Sequence, residues 1–314
     1  MAETLLFSIV IPCYNYGHWL ARAVNSVLAQ DGSDWELLVI NDGSTDNTDA
    51  VAAELVRQHA PRLRYLAQSN RGLAATRNRG IDATRGCYLI FLDADDELAP
   101  GALGVYREMI ARHPGVDMVA GGYRVVDADG RARRRRVGSL PHSPQRRLRH
   151  YLFGKNLFGK NPFGKKLHFS NGAVAIRRDV FTVRRYPENL RAVEDIPVFA
   201  YLVACRQLAV SPAPLAIIHR HAASLRHDAG QAAAVGMALV DELFRPGVMP
   251  DWALAYRTRY ETLRCLSLFR TCYLAGEKEN ALNFYHRALR GDPVRTLSRW
   301  SYLRKYLRLR LAPR

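Results

Sequence analysis

The sequence predicts an α/β fold, a doubly wound sheet flanked by helices with a helical extension behind it, and three observations carry that expectation. Short β-branched runs alternate with segments of helical periodicity through the N-terminal third of the chain. Several of those runs stop abruptly in polar or acidic residues, as strands do at the ligand-binding edge of an open sheet. From Gly230 onward helical patterns dominate. The expected organisation is a first domain over 1–229, containing a basic insertion at 131–172, and a helical, basic extension over 230–314.

The elements follow in order. Leu6 to Ile11 is a β-branched run closed by Pro12, and Trp35 to Ile40 is a second, closed by the turn-forming NDGSTDNT; both read as buried parallel strands. Between them, Gly17 to Ala29 spaces Trp19, Leu20, Ala23, Val24, Val27 and Leu28 as a helix does. Thr45 to Gln58 repeats that pattern with Asp46 or Thr48 as cap. Arg64 to Ala67 is a weaker strand, and NRGLAATRNRGIDATRG a loop leading into a helix. Cys87 to Leu92 is a wholly apolar strand running into Asp93, Ala94, Asp95, Asp96 and Glu97. Val116 to Val126 is a further strand with DADG as its turn.

Charge is the compositional anomaly of a 314-residue chain that is otherwise of ordinary globular make-up: 46 Lys+Arg against 29 Asp+Glu give +17. The excess is local. Arg131 to Gly172 holds twelve basic residues and no acidic one, and Tyr285 to Arg314 nine basic residues with Asp292 the sole acid, which leaves the remainder at −3. Such patches face phosphate on nucleic acid, anionic lipid or a phosphorylated glycan, and sign alone does not choose among them. Within the first patch Phe-Gly-Lys recurs every five residues at Phe153, Phe158 and Phe163, either a basic loop grown by duplication or a flap over an anionic acceptor. In the second, Leu297, Trp300, Leu303, Leu307 and Leu311 share one helical stripe interrupted by Arg304. That helix either docks on the protein's own core or lies at an anionic bilayer surface. Leu274 to Pro293 resembles half of a tetratricopeptide unit and is expected as one helical hairpin.

Cys13, Cys87, Cys205, Cys265 and Cys272 are odd in number and form no C-x-x-C pair, which fits a reducing compartment and argues against structural zinc. No leader-like N-terminus or run of about 20 apolar residues is seen, so the expectation is a cytoplasmic protein, peripheral on the inner face of the membrane at most.

The chemistry concentrates in LDADD. Three carboxylates within four residues at a strand end repel one another unless a cation or donor groups offset them. Hard oxygen ligands suit Mg²⁺ or Mn²⁺, which normally completes its shell with a diphosphate. At this point SIVIPCYN, VINDGSTDNT, NRGLAATRNRGI, FLDADD and VEDIPV, in that order and spacing, resemble the family 2 glycosyltransferases over roughly residues 5 to 225. The resemblance implies the GT-A fold, a nucleotide-sugar-binding, Rossmann-like mixed sheet, and an inverting transferase.

It also implies roles. Pro12, Tyr14 and Asn15 would border the base, and Asp42 would accept a hydrogen bond from a uracil or thymine imide. Asn70, Arg71, Gly72 and Arg77 would close the other side of the nucleotide. Asp93 would sit by the ribose or metal, and Asp95 would ligate the metal, either Mn²⁺ or Mg²⁺. Asp46 and Asp96 are read as solvated loop acids or caps. Asp195 is the candidate base and Glu194 an acceptor or sugar binder, with a helix-capping role open for either. Asn171 and Gly172 line the acceptor side. His219, Arg220 and His221, with Ser224, resemble the family's His/Arg loop, where His221 is a metal ligand or a structural group.

The implied reaction moves one hexose or deoxyhexose from a UDP- or dTDP-sugar to a hydroxyl of a surface glycan, with lipopolysaccharide core or a lipid-linked oligosaccharide as the anionic acceptor. The Gln-x-x-Arg-Trp of processive synthases is not met, because Thr296 stands at the Gln position of TLSRW. The alternative is a nucleic-acid or anionic-surface binder on a degenerate nucleotide-sugar fold. It leaves the five ordered blocks unexplained, so no nucleic-acid partner is expected. A nucleotidyltransferase would need a Gly-rich basic loop where IPCYNYGHW stands.

Overall fold

The computed structural model describes residues 5–154, 167–221 and 235–311. These fall into two compact units, Met1–Glu188 with Val198–Ser224, and Asn189–Pro197 with Leu225–Arg314. In the first unit β1 (Phe7–Cys13), α1 (Gly17–Leu28), β2 (Trp35–Asn41), α2 (Thr48–His59), β3 (Leu63–Ala67), α3 (Leu73–Ala83) and β4 (Tyr88–Phe91) alternate as the sequence pattern requires. Then come β5 (Glu97–Leu98), α4 (Ala102–Arg112), β6 (Met118–Val126), β7 (Ala132–Arg135), α5 (Pro144–Phe153), β8 (Val174–Arg177), α6 (Val180–Val183), α7 (Asp195–Cys205), of which Asp195–Pro197 count with the second unit, and β9 (Leu208–His219).

The described strands form one mixed sheet in the order β3-β2-β1-β4-β8-β6-β9-β5, with β7 added on β6. The β3-β2-β1-β4 half is parallel, so these strands point their carboxyl ends the same way. Beyond it the direction reverses, because β8 is antiparallel to both β4 and β6. Every residue of β1 and β2 is buried, and the two faces have different coverings. Phe7, Ile9 and Ile11 pack with Leu20, Val24 and Val27 of α1, Leu55 of α2 and Tyr106 of α4. On the opposite face Val10 meets α3 at Gly80, and Phe91 packs edge-on against Phe181 and Tyr186. That two-sided burial is why these strands read as continuous apolar runs rather than alternating ones.

The basic stretch differs from a plain loop. Residues 132–135 pair antiparallel with Val126 to Tyr123, extending β6 into a hairpin whose arginines all stay exposed. Ser143 then caps α5 through the Arg146 N–H, with Pro144 in the first turn. Phe153 ends that helix buried. Phe158, Phe163 and Ser224 lie outside the described residues.

The second unit contains α8 (Ala238–Leu243), α9 (Asp251–Leu254), α10 (Arg257–Leu274), α11 (Lys278–Gly291), α12 (Pro293–Leu297) and α13 (Trp300–Leu311). Helices α10 and α11 make the expected hairpin around Cys265, Phe269, Ala281, Tyr285 and Ala288. Of the stripe foreseen on the last helix only Leu303 turns toward the core. Tyr302 is buried, and Tyr306, Leu303 and Leu309 pack beside it, with the Tyr306 ring stacked 4.2 Å from that of Tyr285. Aromatic stacking on α11 thus wins over the aliphatic stripe, and Trp300, Leu307 and Leu311 remain exposed.

Gly86, between α3 and β4, tests the packing of β1. A Cβ there would lie 2.4 Å from the Phe7 carbonyl carbon and 2.5 Å from the Ser8 nitrogen, both backbone. Gly86→Ala is expected to destabilise by about 1–3 kcal/mol. Gly104→Ala, on the exposed side of α4 with open space around it, is expected to gain about 0.5–1 kcal/mol. Urea denaturation of both variants checks the pair.

Candidate functional site

Parallel register brings the loops after β1, β2 and β4 to one edge of the sheet. Pro12 is buried in the β1 ladder opposite Ile40, and in the loop after the strand Tyr14 is exposed and Asn15 takes a left-handed backbone. Its N–H donates to Ser44 Oγ at 2.8 Å and its Oδ1 accepts from the Thr45 N–H at 2.7 Å, which ties this loop to the one after β2. Asp46 accepts from the N–H groups of Gly17 and Thr48, so it serves the starts of α1 and α2.

Asp42 is buried directly beyond β2. Its carboxylate accepts from the Arg71 N–H at 2.9 Å, the Gly72 N–H at 2.8 Å and Gln68 Nε2 at 2.7 Å. Three of its roughly four acceptor positions are therefore met by the chain itself, and the Asn70-Arg71-Gly72 loop is held against the end of β2. Gly43 is required beside it. Its φ is +74°, and a Cβ would lie 2.7 Å from the Asn70 nitrogen. Arg71 also reaches Glu188 at 3.2 Å.

The acidic run after β4 is held by a different group for each carboxylate. Arg77 is buried in α3 and donates from Nη2 to Asp93 Oδ1 at 2.9 Å, with its guanidinium over the Tyr186 ring. Tyr186 is fixed in turn: its backbone is bracketed by Asn78, and its hydroxyl donates to Asn171 Oδ1 at 3.1 Å. Asn171 and Gly172 lie buried in a short 3₁₀ turn, where a Cβ on Gly172 would come within 3.2 Å of Leu92. Asp95 meets His221 Nε2 at 2.9 Å, and its backbone carbonyl accepts from Arg22. Asp96 is buried and accepts the His219 N–H at 2.9 Å, a structural tie to β9.

Short pairing of β5 with β9 is what returns His219 and His221 to this place. His221 stacks on Trp19 and meets Tyr16 edge-on. Burial, then the charge of Asp93, pushes the Asp95 carboxyl above the ordinary range, while His221 opposes the rise. Burial and the charges of Asp95, Asp93 and Asp96 push the Tyr16 hydroxyl up to about 12. Both shifts reflect burial first and the neighbouring carboxylates second. Among the described residues no three His, Cys, Asp or Glu side chains form a cation cage by themselves. Asp93 and Asp95 bring carboxylate oxygens close together, the donor type that hard divalent ions take.

Glu194 and Asp195 belong to the second unit. Glu194 is buried, Asp195 opens α7 half-buried, and Ala192 before them takes a left-handed backbone. Burial and then the nearby Asp195 charge raise the Tyr260 hydroxyl to about 12 despite the opposing charge of Arg264. Sequence reasoning missed Arg22, Gln68, Tyr186 and the two rings on His221. Trp19 and Tyr16 sat next to a flagged motif, whereas Tyr186 had no signal in its polar surroundings.

The glycosyl transferase family 2 model matches residues 8–183. The chain belongs to that family. An uncharacterized glycosyltransferase of Nostoc sp. is 43% identical over 96 residues, covering 31% of this chain and 30% of its own length. The chain spans only about a third or less of the length of such curated relatives. Residues 1–349 of S. aureus TarS, in complex with UDP-GlcNAc, superpose with a TM-score of 0.64 at 18% identity, over 97% of this chain and 90% of that one. The mannosyltransferase PcManGT from Pyrobaculum calidifontis, in complex with GDP-Man and Mn²⁺, gives 0.55 at 16% identity, over 99% and 88%. These likenesses establish a mixed GT-A-like sheet flanked by helices, with helices at the C-terminus. Among the described residues no helix is long and apolar enough to cross a membrane.

Two outcomes follow from the geometry. Asp42→Ala strands three donors and is expected to lower stability by about 2–3 kcal/mol, read by urea denaturation. Because the folded state raises the Asp95 pKa, ionising that group costs stability. The cost is absent below the unfolded carboxyl pKa of about 3.9 and sets in as pH rises through the folded value. Asp95→Asn is therefore expected to raise the melting temperature at pH 7, with the gain disappearing on acidification to about pH 4.

Proposed function

We propose that the protein is an inverting, metal-assisted glycosyltransferase that moves a single hexose or deoxyhexose from a UDP- or dTDP-sugar to a hydroxyl of an anionic surface glycan or glycolipid. The observation that carries this reading is the gathering of Asp42, Asp93 and Asp95 at one edge of the sheet's parallel half, each carboxylate fixed by its own partners. Open α/β sheets bind nucleotides at that edge. Family membership and the nucleotide sugars named in the two structural neighbours support the same reading.

In this reading Pro12, Tyr14, Asn15 and Asp42 border the base, and Asn70, Arg71 and Gly72 close over the nucleotide. Arg77 acts by setting Asp93 through the 2.9 Å contact rather than by meeting solvent. Asp93, Asp95 and His221 would hold Mn²⁺ or Mg²⁺, which when bound supplies Lewis-acid stabilisation of charge on the departing diphosphate. The acceptor oxygen attacks the anomeric carbon as the bond to the diphosphate breaks, and its proton passes to Asp195. A carboxylate on the face opposite the leaving group is what inversion requires. Glu194, Asn171 and Gly172 would shape the acceptor side. The exposed arginines of β7 favour an acceptor carrying phosphate or carboxylate, of which lipopolysaccharide core and lipid-linked oligosaccharide are examples.

The test incubates a panel of nucleotide sugars with the protein and Mn²⁺ or Mg²⁺ and follows diphosphate release. One UDP- or dTDP-sugar is expected to be hydrolysed slowly, with the activity lost on chelation. Asp95→Ala and Asp195→Ala are each expected to lower the rate by about 100-fold or more. If calorimetry finds that neither uridine nor thymidine diphosphate binds in the presence of the metal, the reading fails.

A further inference from the structure

Helix α13 has two faces, and packing within its unit uses only one. At about 100° per residue, Tyr302, Tyr306 and Leu309 fall on one side, where Tyr302 and Tyr306 join the core rings of Phe269 and Tyr285. Trp300, Leu307 and Leu311 cluster within roughly 40° on the other side. Their exposures of 69%, 42% and 79% are high for side chains that on their own would be buried. Helix α12 immediately before leaves Val294 and Leu297 exposed as well. Arg304 and Arg308 border the apolar sector on one side and Arg310 on the other, all exposed, and the helix contains no acidic residue.

We infer that this face of α13 is a docking surface for an anionic lipid bilayer, with the helix lying in the plane of the head groups. Trp300 suits the boundary between head group and acyl chain, where an indole keeps an apolar body and a polar N–H satisfied together. Arg304, at the edge of the apolar sector, is accommodated there because its stem lies along apolar surface while the guanidinium reaches a lipid phosphate. A second copy of the chain is a poorer occupant. Self-pairing of this face would bring two sets of Arg304, Arg308 and Arg310 together without an acidic counterpart. The inference concerns the second unit by itself and does not depend on the donor chemistry.

The test is co-sedimentation of the full chain with phosphatidylcholine vesicles and with vesicles containing about one third phosphatidylglycerol. Binding is expected to the anionic vesicles only and to weaken with added salt. The variant Trp300→Ser/Leu307→Ser/Leu311→Ser keeps every charge and should lower partition by about tenfold or more. Arg304→Ser/Arg308→Ser/Arg310→Ser keeps the apolar face and should lower it roughly 100-fold, at about fivefold per arginine. Both sets are surface residues, and circular dichroism verifies the fold. Absence of binding by the wild type overturns the inference, as does equal sedimentation of the wild type and the apolar variant, which would assign binding to general basic charge. A dimer seen by light scattering and dissolved by the apolar substitutions would overturn it in favour of a second copy. Because no turnover is needed, failure here leaves the donor-hydrolysis result untouched, and the converse holds.

Discussion

Three carboxylates at the end of one buried strand are electrostatically intolerable unless each is answered separately, and much of the first unit's detail serves that need. Asp93 is answered by Arg77 from α3, Asp95 by His221 from the segment after β9, and Asp96 by the backbone of His219. The partners come from parts of the chain more than a hundred residues apart in two cases. The run after β4 is therefore a meeting point of long-range contacts, and the mixed topology that returns β9 beside β5 is what makes the meeting possible. The compensation is partial, since the Asp95 carboxyl remains raised by burial and by Asp93.

The loop after β2 solves a different problem. Asp42 spends its acceptor capacity on the Asn70-Arg71-Gly72 segment, so the two walls of one cleft are joined by a carboxylate rather than by apolar packing. Rigidity on this side contrasts with unbalanced charge on the other.

The parallel half of the sheet was legible in the sequence because strands buried on both faces leave unbroken apolar runs, and because their ends are marked by sudden polarity at Asn41-Asp42 and Asp93. Asp95 stood in an ordered block and His221 in a separate His/Arg segment, but their 2.9 Å contact could not be read from either. What was not legible depended on neighbours. The strand Ala132–Arg135 has no strand-like composition and exists because β6 offers it an edge. Tyr186 could not be seen as a support for Arg77 before the fold placed α3 beneath it. On α13 the Leu and Trp stripe was visible, yet the choice of buried face belonged to Tyr302 and Tyr306, whose stacking on Tyr285 is a tertiary fact.

Strand β6 gives one of its edges to two partners in succession. Ala120 pairs with Val174 of β8, and three residues further on Tyr123 pairs with Arg135 of β7. The chain thus leaves that edge after Arg135 and rejoins it at Val174, across a gap of roughly 10 Å along the strand. Everything between those two residues is an excursion whose length the sheet does not fix, since closing a longer loop adds little cost per residue. Duplications such as the Phe-Gly-Lys repeat can accumulate there with the register of the sheet intact. The fold therefore separates the parallel half of the sheet, where donor recognition is proposed, from a return path between β7 and β8 whose length the sheet register leaves open, so that residues can be added along it without rebuilding the parallel half.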